Sequence, residues 1–229
     1  MKIGFTSVDL QEGKIKFFDK HLQALQSKDN PKKVTPYFAE FVRDGFTNAD
    51  AIVVPESNIL DLLIYDLEKI ETLLARTEDA DERALYLKCL DHLEREIPLC
   101  DVDFNDEEMK TLRAAGLFSL KPVVRIAGDE DPNSIIELSL ERANNMFFYT
   151  SGPSESHAWL VRKGSPITTC AGKIHSDLER GFIKGDVVSF NDYMTCHNFN
   201  DCKSKGLAKI VDRDYVVEPN DVIEIRFNV

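Results

Sequence analysis

The sequence predicts a mixed fold: an α/β half interrupted by a helical hairpin, followed by a strand-rich α+β module. Three observations predict it. Short β-branched runs alternate with amphipathic helical stretches up to about residue 145. Two long leucine-rich stripes at helical spacing sit side by side between two of those runs. The acidic charge also ends where the strand-rich tail begins. Residues 150–229 hold 10 basic and 11 acidic side chains, net −1, whereas residues 1–149 hold 18 and 29, net −11. These add to the −12 of the 229-residue chain.

The elements follow in order. Lys2–Val8 is a short apolar strand. Phe17, Phe18, Leu22 and Leu25 recur at helical spacing, which predicts a helix over Gly13–Ser27 stopped by Asn30-Pro31. Tyr37–Val42 alternates as a strand does, and Ala51–Val54 is a buried-type strand closed by Pro55. Ser57 is a candidate N-cap for the first stripe, Leu60, Leu63, Leu67, Ile70 and Leu74. After a polar turn, Leu85, Tyr86, Leu90, Leu93 and Ile97 form the second stripe, so the pair makes an antiparallel hairpin. A short helix starts at Asn105–Glu108, a strand occupies Lys121–Ala127, and a helix spans Asp131–Asn144. The tail offers strands at Met146–Thr150, His157–Arg162, Asp186–Phe190, Asp214–Val217 and Val222–Phe227. One helix over Cys170–Phe182 carries Ile174, Leu178 and Phe182 on one face.

Composition narrows the function. With 43% hydrophobic and 30% charged residues, the chain can form a packed core. No apolar run approaches the roughly 18–20 residues of a membrane span. The N-terminus lacks the pattern of a signal peptide, and five cysteines without framework spacing fit reduced thiols in the cytoplasm. The acidic first two thirds repel phosphate backbones, and only the near-neutral tail suits contact with a nucleic acid.

The sequence offers little recognisable chemistry. A phosphate loop needs GxxxxGK[ST] after a strand, so that amides wrap the phosphates and the lysine neutralises them. Here Gly4 lies nine residues before Gly13, Ile15 stands where the hydroxyl belongs, and Asp9 and Glu12 would face the phosphates. Cys196, His197 and Cys202 do not have zinc-knuckle spacing, so no metal site is expected. Cys170 has no identifiable partner for a nucleophilic role. No GxSxG or HExxH motif appears, so no catalytic and no cofactor-binding residue is assigned.

Ala171–Val187 spells AGKIHSDLERGFIKGDV, preceded by FFYTSGPSESHAWLVRKGS and followed by DYVVEPNDVIEIRFNV. These strings closely resemble the C-terminal TGS domain of the YchF/Obg-like ATPases. ADAIVV, LLIYDLEKIETLLAR, MKTLRAAGLFSLKPVVRIAGDED and MKIGF resemble, more weakly and in the same order, the family's first strands and its hairpin insertion. The resemblance implies a reduced P-loop-like parallel sheet over 1–56 and 119–145, a coiled-coil-like hairpin over 57–118, and a β-grasp TGS domain over 146–229.

It also exposes departures. The phosphate loop is replaced. The family's DxAG turn appears as Arg43-Asp44-Gly45, and its base-reading NxxE becomes Gly128-Asp129-Glu130-Asp131. A long stretch containing the switch region has no counterpart. Losing these readers together predicts a pseudo-GTPase: a non-enzymatic regulatory protein without a cofactor. The TGS face, with Lys173, His175, Arg180 and Lys184 as contact candidates, would dock on a ribosome or another RNA–protein particle. A diverged ATP- or GTP-binding protein or nucleotidase, and an adaptor binding a protein through the hairpin, are the alternatives. The oligomeric state stays open.

Overall fold

The structure, a computed structural model, describes residues 1–228. In chain order its regular elements are β1 Lys2–Phe5, β2 Gly13–Lys16, α1 Lys20–Asp29, β3 Lys33–Thr35, β4 Phe38–Arg43, β5 Ala51–Pro55, α2 Leu60–Leu74 and α3 Ala80–Glu94. There follow α4 Asp106–Ala115, β6 Val123–Ile126, α5 Pro132–Arg142, β7 Asn145–Ser151, β8 Glu155–Arg162, α6 Ile167–Ile174 and α7 Ser176–Arg180. The last are β9 Phe182–Val188, α8 Phe190–Met194, α9 Phe199–Ser204, β10 Lys209–Val211 and β11 Val222–Phe227. They form two compact units, residues 1–15 with 38–143, and residues 16–37 with 144–229.

The first unit is built on a five-stranded sheet of order β2-β4-β1-β5-β6, in which β4, β1, β5 and β6 run parallel. Its central strands are apolar runs because both faces are covered: all five residues of β5 are buried. The hairpin α2–α3 closes a core of Ile52, Val54, Leu62, Leu63, Ile70, Leu85, Cys89 and Leu93. The predicted seam therefore exists, but its start differs from expectation. Residues Glu56–Asn58 form a 3-10 turn that runs directly into α2, so Ile59 occupies the cap position and Ser57 caps nothing. One polar group lies inside this core. Asp66 of α2 is 1% exposed, and its two oxygens accept the backbone N–H groups of Phe118 and Ser119, each at 2.7 Å. Burial pushes its carboxyl above the usual range, against the hydrogen bonds from Ser119 and Phe118.

The second unit has a six-stranded sheet of order β10-β9-β11-β7-β8-β3. The hairpin β7–β8 is antiparallel, β11 lies parallel beside β7, and β9 is antiparallel to β11. That is a β-grasp sheet with one added strand, β3, at its edge. Helix α6 packs on one face through Ile167, Cys170 and Ala171, against Phe148, Val161, Val187 and Ile223. The approach is so close that a Cβ on Gly185 of β9 would come within 2.2 Å of Ile167.

Residues 16–37 are not part of the scaffold that the sequence predicted for residues 1–56; they pack with the second unit. The expected helix over Gly13–Ser27 splits for a local reason. Asp19 caps a helix that begins at Lys20, accepting the N–H groups of His21 and Leu22 at 2.9 and 3.1 Å. Gly13–Lys16, at the start of the expected helix, form β2 instead. Leu22 and Leu25 are buried, Phe17 stacks on Phe147 at 5.6 Å, and Asp19 accepts the Tyr149 hydroxyl at 2.9 Å.

Two further expectations are corrected. The helix predicted over Cys170–Phe182 breaks at His175, whose backbone is extended and whose Nδ1 accepts the N–H of Asp177 at 3.1 Å. The strand predicted at Asp214–Val217 is only an isolated bridge between Val216 and Pro166.

Asp221, at the entry to β11, is 6% exposed, and its side chain accepts the N–H of Glu218 at 3.0 Å. Burial pushes its carboxyl up to about 6. The folded form then favours the protonated acid. Its contribution to stability is fully present below the unfolded value of 3.8 and is lost as pH rises through about 6. Asp221→Asn is expected to match the parent near pH 4 and to exceed it near pH 7 by up to about 3 kcal/mol. Urea unfolding of both proteins across this range measures the difference; a gap that does not grow with pH refutes it.

Candidate functional site

The first candidate is the carboxyl edge of the parallel sheet, where open α/β sheets hold ligands. The chain leaves β1 into Thr6–Glu12 without entering a helix; the next helix, α1, belongs to the second unit. No helix N-terminus is therefore aimed at this edge by the loop after β1. The loop is instead tied down by its own side chains. Ser7, with φ of 58°, hydrogen-bonds Asp61 of α2, and Asn58 donates to the same carboxylate at 3.1 Å. Arg43, at the end of β4, lies over the Phe5 ring at 4.9 Å and donates to the carbonyls of Val8 and Leu10, both at 3.4 Å.

At the end of β6, Glu130 turns back and accepts the N–H groups of Ala127 and Gly128 at 2.8 and 2.9 Å. Those two bonds hold its carboxyl below the usual range. The amides nearest the family's base-reading position thus already bind a carboxylate of the chain. Below the edge, Lys121 donates to the carbonyls of Phe46, Thr47 and Ala49 at 2.8, 2.6 and 3.0 Å, clamping the turn before β5. None of these contacts had a local sequence signal except Glu130, whose acid-after-glycine pattern marks a turn.

The second candidate is the α6–α7 side of the β-grasp unit. Lys173 lies in the last turn of α6, is exposed, and makes no ion pair among the described residues. His175 sits at the break with its side chain 64% exposed, 3.6 Å from Asp177, so it is not a buried anchor for the helix. Arg180 pairs with Asp177 at 2.8 Å, and Lys184 of β9 pairs with Asp212. The four candidates therefore share one segment, but two of the cations are locally neutralised.

The remaining candidates are structural. Cys170 is fully buried and its thiol is pushed up to about 12 by burial, so it is no nucleophile at neutral pH. Cys196 and Cys202 are buried while His197 is exposed, and no metal-binding group of three or more His, Cys, Asp or Glu occurs among the described residues. Trp159 is half-buried, stacks on His157 at 3.5 Å and donates to Thr150 at 3.0 Å.

Sequence reasoning missed one polar cluster. Asp29, at the end of α1, accepts from Lys28, Ser151 and the Tyr193 hydroxyl at 2.7, 2.5 and 2.8 Å, beside a concavity of about 370 Å³. Its members are up to 164 residues apart, so no spacing in the sequence announces them.

Comparison with known proteins places these features. Residues 146–228 match the family model YchF-GTPase_C, described as a protein of unknown function (DUF933). The ribosome-binding ATPase YchF of Bacillus subtilis is 26% identical over 334 residues, covering 98% of this chain and 91% of that protein. That alignment exceeds the length of this chain by about 105 positions, so the relative contains long stretches without counterpart here. Obg-like ATPase 1 of Danio rerio is 43% identical over 82 residues, 36% of this chain but only 21% of that protein. The solved structure of the Schizosaccharomyces pombe YchF GTPase shares the fold, with a TM-score of 0.78 at 17% identity over 99% of this chain and 97% of that one.

These findings correct the expectation of a non-enzymatic protein. The relatives that align with nearly the whole chain are named for nucleotide hydrolysis, so a missing motif is not grounds for setting the chain outside a nucleotide-hydrolysing family. No helix among the described residues is long and apolar enough to cross a membrane. With a YchF-type C-terminal module over residues 146–228 and full-length similarity beyond it, the chain is a relative of the YchF/Obg-like ATPases.

Proposed function

We propose that the chain is a cytoplasmic, ribosome-associated member of the YchF type, with the β-grasp unit as its docking module. The observation that carries this reading is the similarity of 98% of the chain to a ribosome-binding ATPase. The charge distribution supports it: the first 149 residues carry net −11 and the tail only −1, so the tail meets a polyanion at the smaller electrostatic cost. On the candidate face Lys173 has no ion-pair partner among the described residues. Arg180 and Lys184 can exchange Asp177 and Asp212 for RNA phosphates, and His175 adds an exposed ring.

Co-sedimentation with purified ribosomes tests this. Binding is expected at low salt and should weaken at moderate salt, because phosphate contacts release counterions. Combined Lys173→Ala and Arg180→Ala should weaken it by about tenfold, each cation–phosphate pair being worth roughly 0.5–1 kcal/mol. Absence from the ribosomal pellet at both salt concentrations rejects the reading.

The relatives' names also carry nucleotide hydrolysis, and the parallel sheet order supports a nucleotide-handling role as a second part of the reading. Any such activity works without a phosphate loop after β1, since Arg43, Asp61 and Ser7 hold that loop down. Calorimetric titration with ATP and GTP in the presence of Mg²⁺, followed by a phosphate-release assay, measures it directly. A null result in both rejects this part and leaves ribosome binding standing.

A further inference from the structure

The two units differ in charge. Residues 16–37 bring five lysines and two aspartates to the near-neutral tail, and residues 144–149 bring no charge. The second unit therefore carries +2 and the first −14 of the chain's −12. Burial sorts the charges of residues 16–37 further. Both acids are turned inward. Asp19 is 5% exposed and accepts the Tyr149 hydroxyl at 2.9 Å; the Asp29 side chain is 5% exposed and accepts that of Tyr193 at 2.8 Å. Lys28 is paired with Asp29 at 2.7 Å, and Lys33 with Glu155 at 2.9 Å. Lys16, Lys20 and Lys32 remain. All three are exposed, and none enters an ion pair among the described residues.

Two of these cations share a side with an aromatic ring. Phe17 stacks on Phe147 and Asp19 bonds Tyr149, so these two alternate positions before α1 face β7. Side chains alternate along an extended chain, and Asp19 has extended backbone. Lys16, Phe18 and Lys20 are accordingly the exposed positions, spaced about 6–7 Å apart along the chain. Phe18 is 52% exposed. From Lys20 the outer line of α1 continues through Gln23 and Ser27, opposite the buried Leu22 and Leu25. Asn30, with φ of 44°, turns the chain out of the helix, and Lys32 follows. No exposed carboxylate of the segment interrupts the run from Lys16 to Lys32.

We propose that this run binds single-stranded RNA, with Lys16, Lys20 and Lys32 on phosphates and Phe18 stacked on a base. Lysines around an exposed ring suit a polyanion that also presents flat apolar faces. An acidic peptide supplies the charge but no base, so the ring tells the two apart. On the α6–α7 side, Arg180 and Lys184 must first leave Asp177 and Asp212, whereas these three lysines give up no partner. The inference deepens the ribosome reading by naming an RNA-contacting surface. Its test uses no ribosome, so either reading can fail without the other.

The test is fluorescence anisotropy of a labelled oligouridine of about 12 nucleotides, titrated with the full chain from low to moderate salt. Log affinity is expected to fall with log salt at a slope of about −2 or steeper, as three lysine–phosphate contacts require. Lys16→Gln, Lys20→Gln and Lys32→Gln together make the slope shallower by about 2 and weaken low-salt binding by about tenfold or more. Lys16→Arg, Lys20→Arg and Lys32→Arg together keep both, which separates lost charge from a disturbed fold. Phe18→Ser weakens binding by about tenfold with no change of slope, and has no effect on an RNA duplex, whose bases are already stacked. Four results overturn the proposal: no binding at low salt; a slope that the three glutamines leave unchanged; a Phe18→Ser affinity equal to the parent's; or polyglutamate bound as tightly as the RNA, which would make an acidic protein the partner.

Discussion

Arg226→Met is expected to cost the second unit about 2–4 kcal/mol, because it strands a carboxylate inside the sheet. Asp186 of β9 is 1% exposed, and Arg226 of β11 holds it with two parallel hydrogen bonds of 2.7 Å. Lys203 of α9 adds a contact at 3.3 Å while also holding Glu224 at 2.9 Å. Burial alone would raise the Asp186 carboxyl; the bonds from Arg226 and Lys203 outweigh it and keep the group below its usual range. Removing the guanidinium leaves burial opposed by a single, longer and shared ammonium contact. The carboxyl then rises, and the unit loses the stability that the ionised pair gave it. Replacing both partners, as Asp186→Val with Arg226→Met, removes the stranded charge and should recover most of the loss. Urea unfolding followed by a probe in the second unit, such as Trp159, gives the two single variants, the double variant and their coupling. A double variant as unstable as Arg226→Met alone would show that the loss came from packing and not from the unpaired charge.

That network marks where sequence legibility ends. The helices α2, α3, α4 and α5 and the strands β4, β5 and β6 were legible because each is written locally, in apolar periodicity, a capping residue or a closing proline. Arg180 with Asp177 was legible for the same reason, being three residues apart on one helix. Asp186 and Arg226 lie 40 residues apart, and nothing in either neighbourhood distinguishes them from surface charges. The same holds for α1. Its helical periodicity was visible, but not that Leu22 and Leu25 would be covered by β7 and β8 in place of the parallel sheet. At the candidate face, the family motif located Lys173, His175, Arg180 and Lys184. The exposure of His175 and the pairing of Lys184 with Asp212 arise only once the chain has folded back on itself. The enzymatic class was misjudged for a different physical reason. A missing loop motif describes one segment of the chain, while family similarity extends over nearly all of it.

Asp66→Ala should be the most damaging single change in the first unit. The carboxylate reaches from α2 across 52 residues of sequence to take the N–H of Phe118, and to the next residue to take that of Ser119. Ser119 is fully buried and its hydroxyl accepts the N–H of Leu99 at 3.2 Å, so one acid anchors a chain of contacts joining α2 to the segments on both sides of α4. Alanine leaves two amides without acceptors in a site that admits little water, and each costs about 1–3 kcal/mol. A loss of about 3–5 kcal/mol is therefore expected. Asparagine separates the causes. It retains the volume and one acceptor oxygen, but turns an amide nitrogen toward the second N–H, so it should recover only about half the loss. Serine is too short to reach either amide and should behave like alanine. Chemical denaturation of the three variants gives this ordering, and hydrogen exchange at Phe118 and Ser119 reports the same bonds directly. If Asp66→Asn proved as stable as the parent, the paired acceptance by both oxygens would not be what holds α2 to this turn.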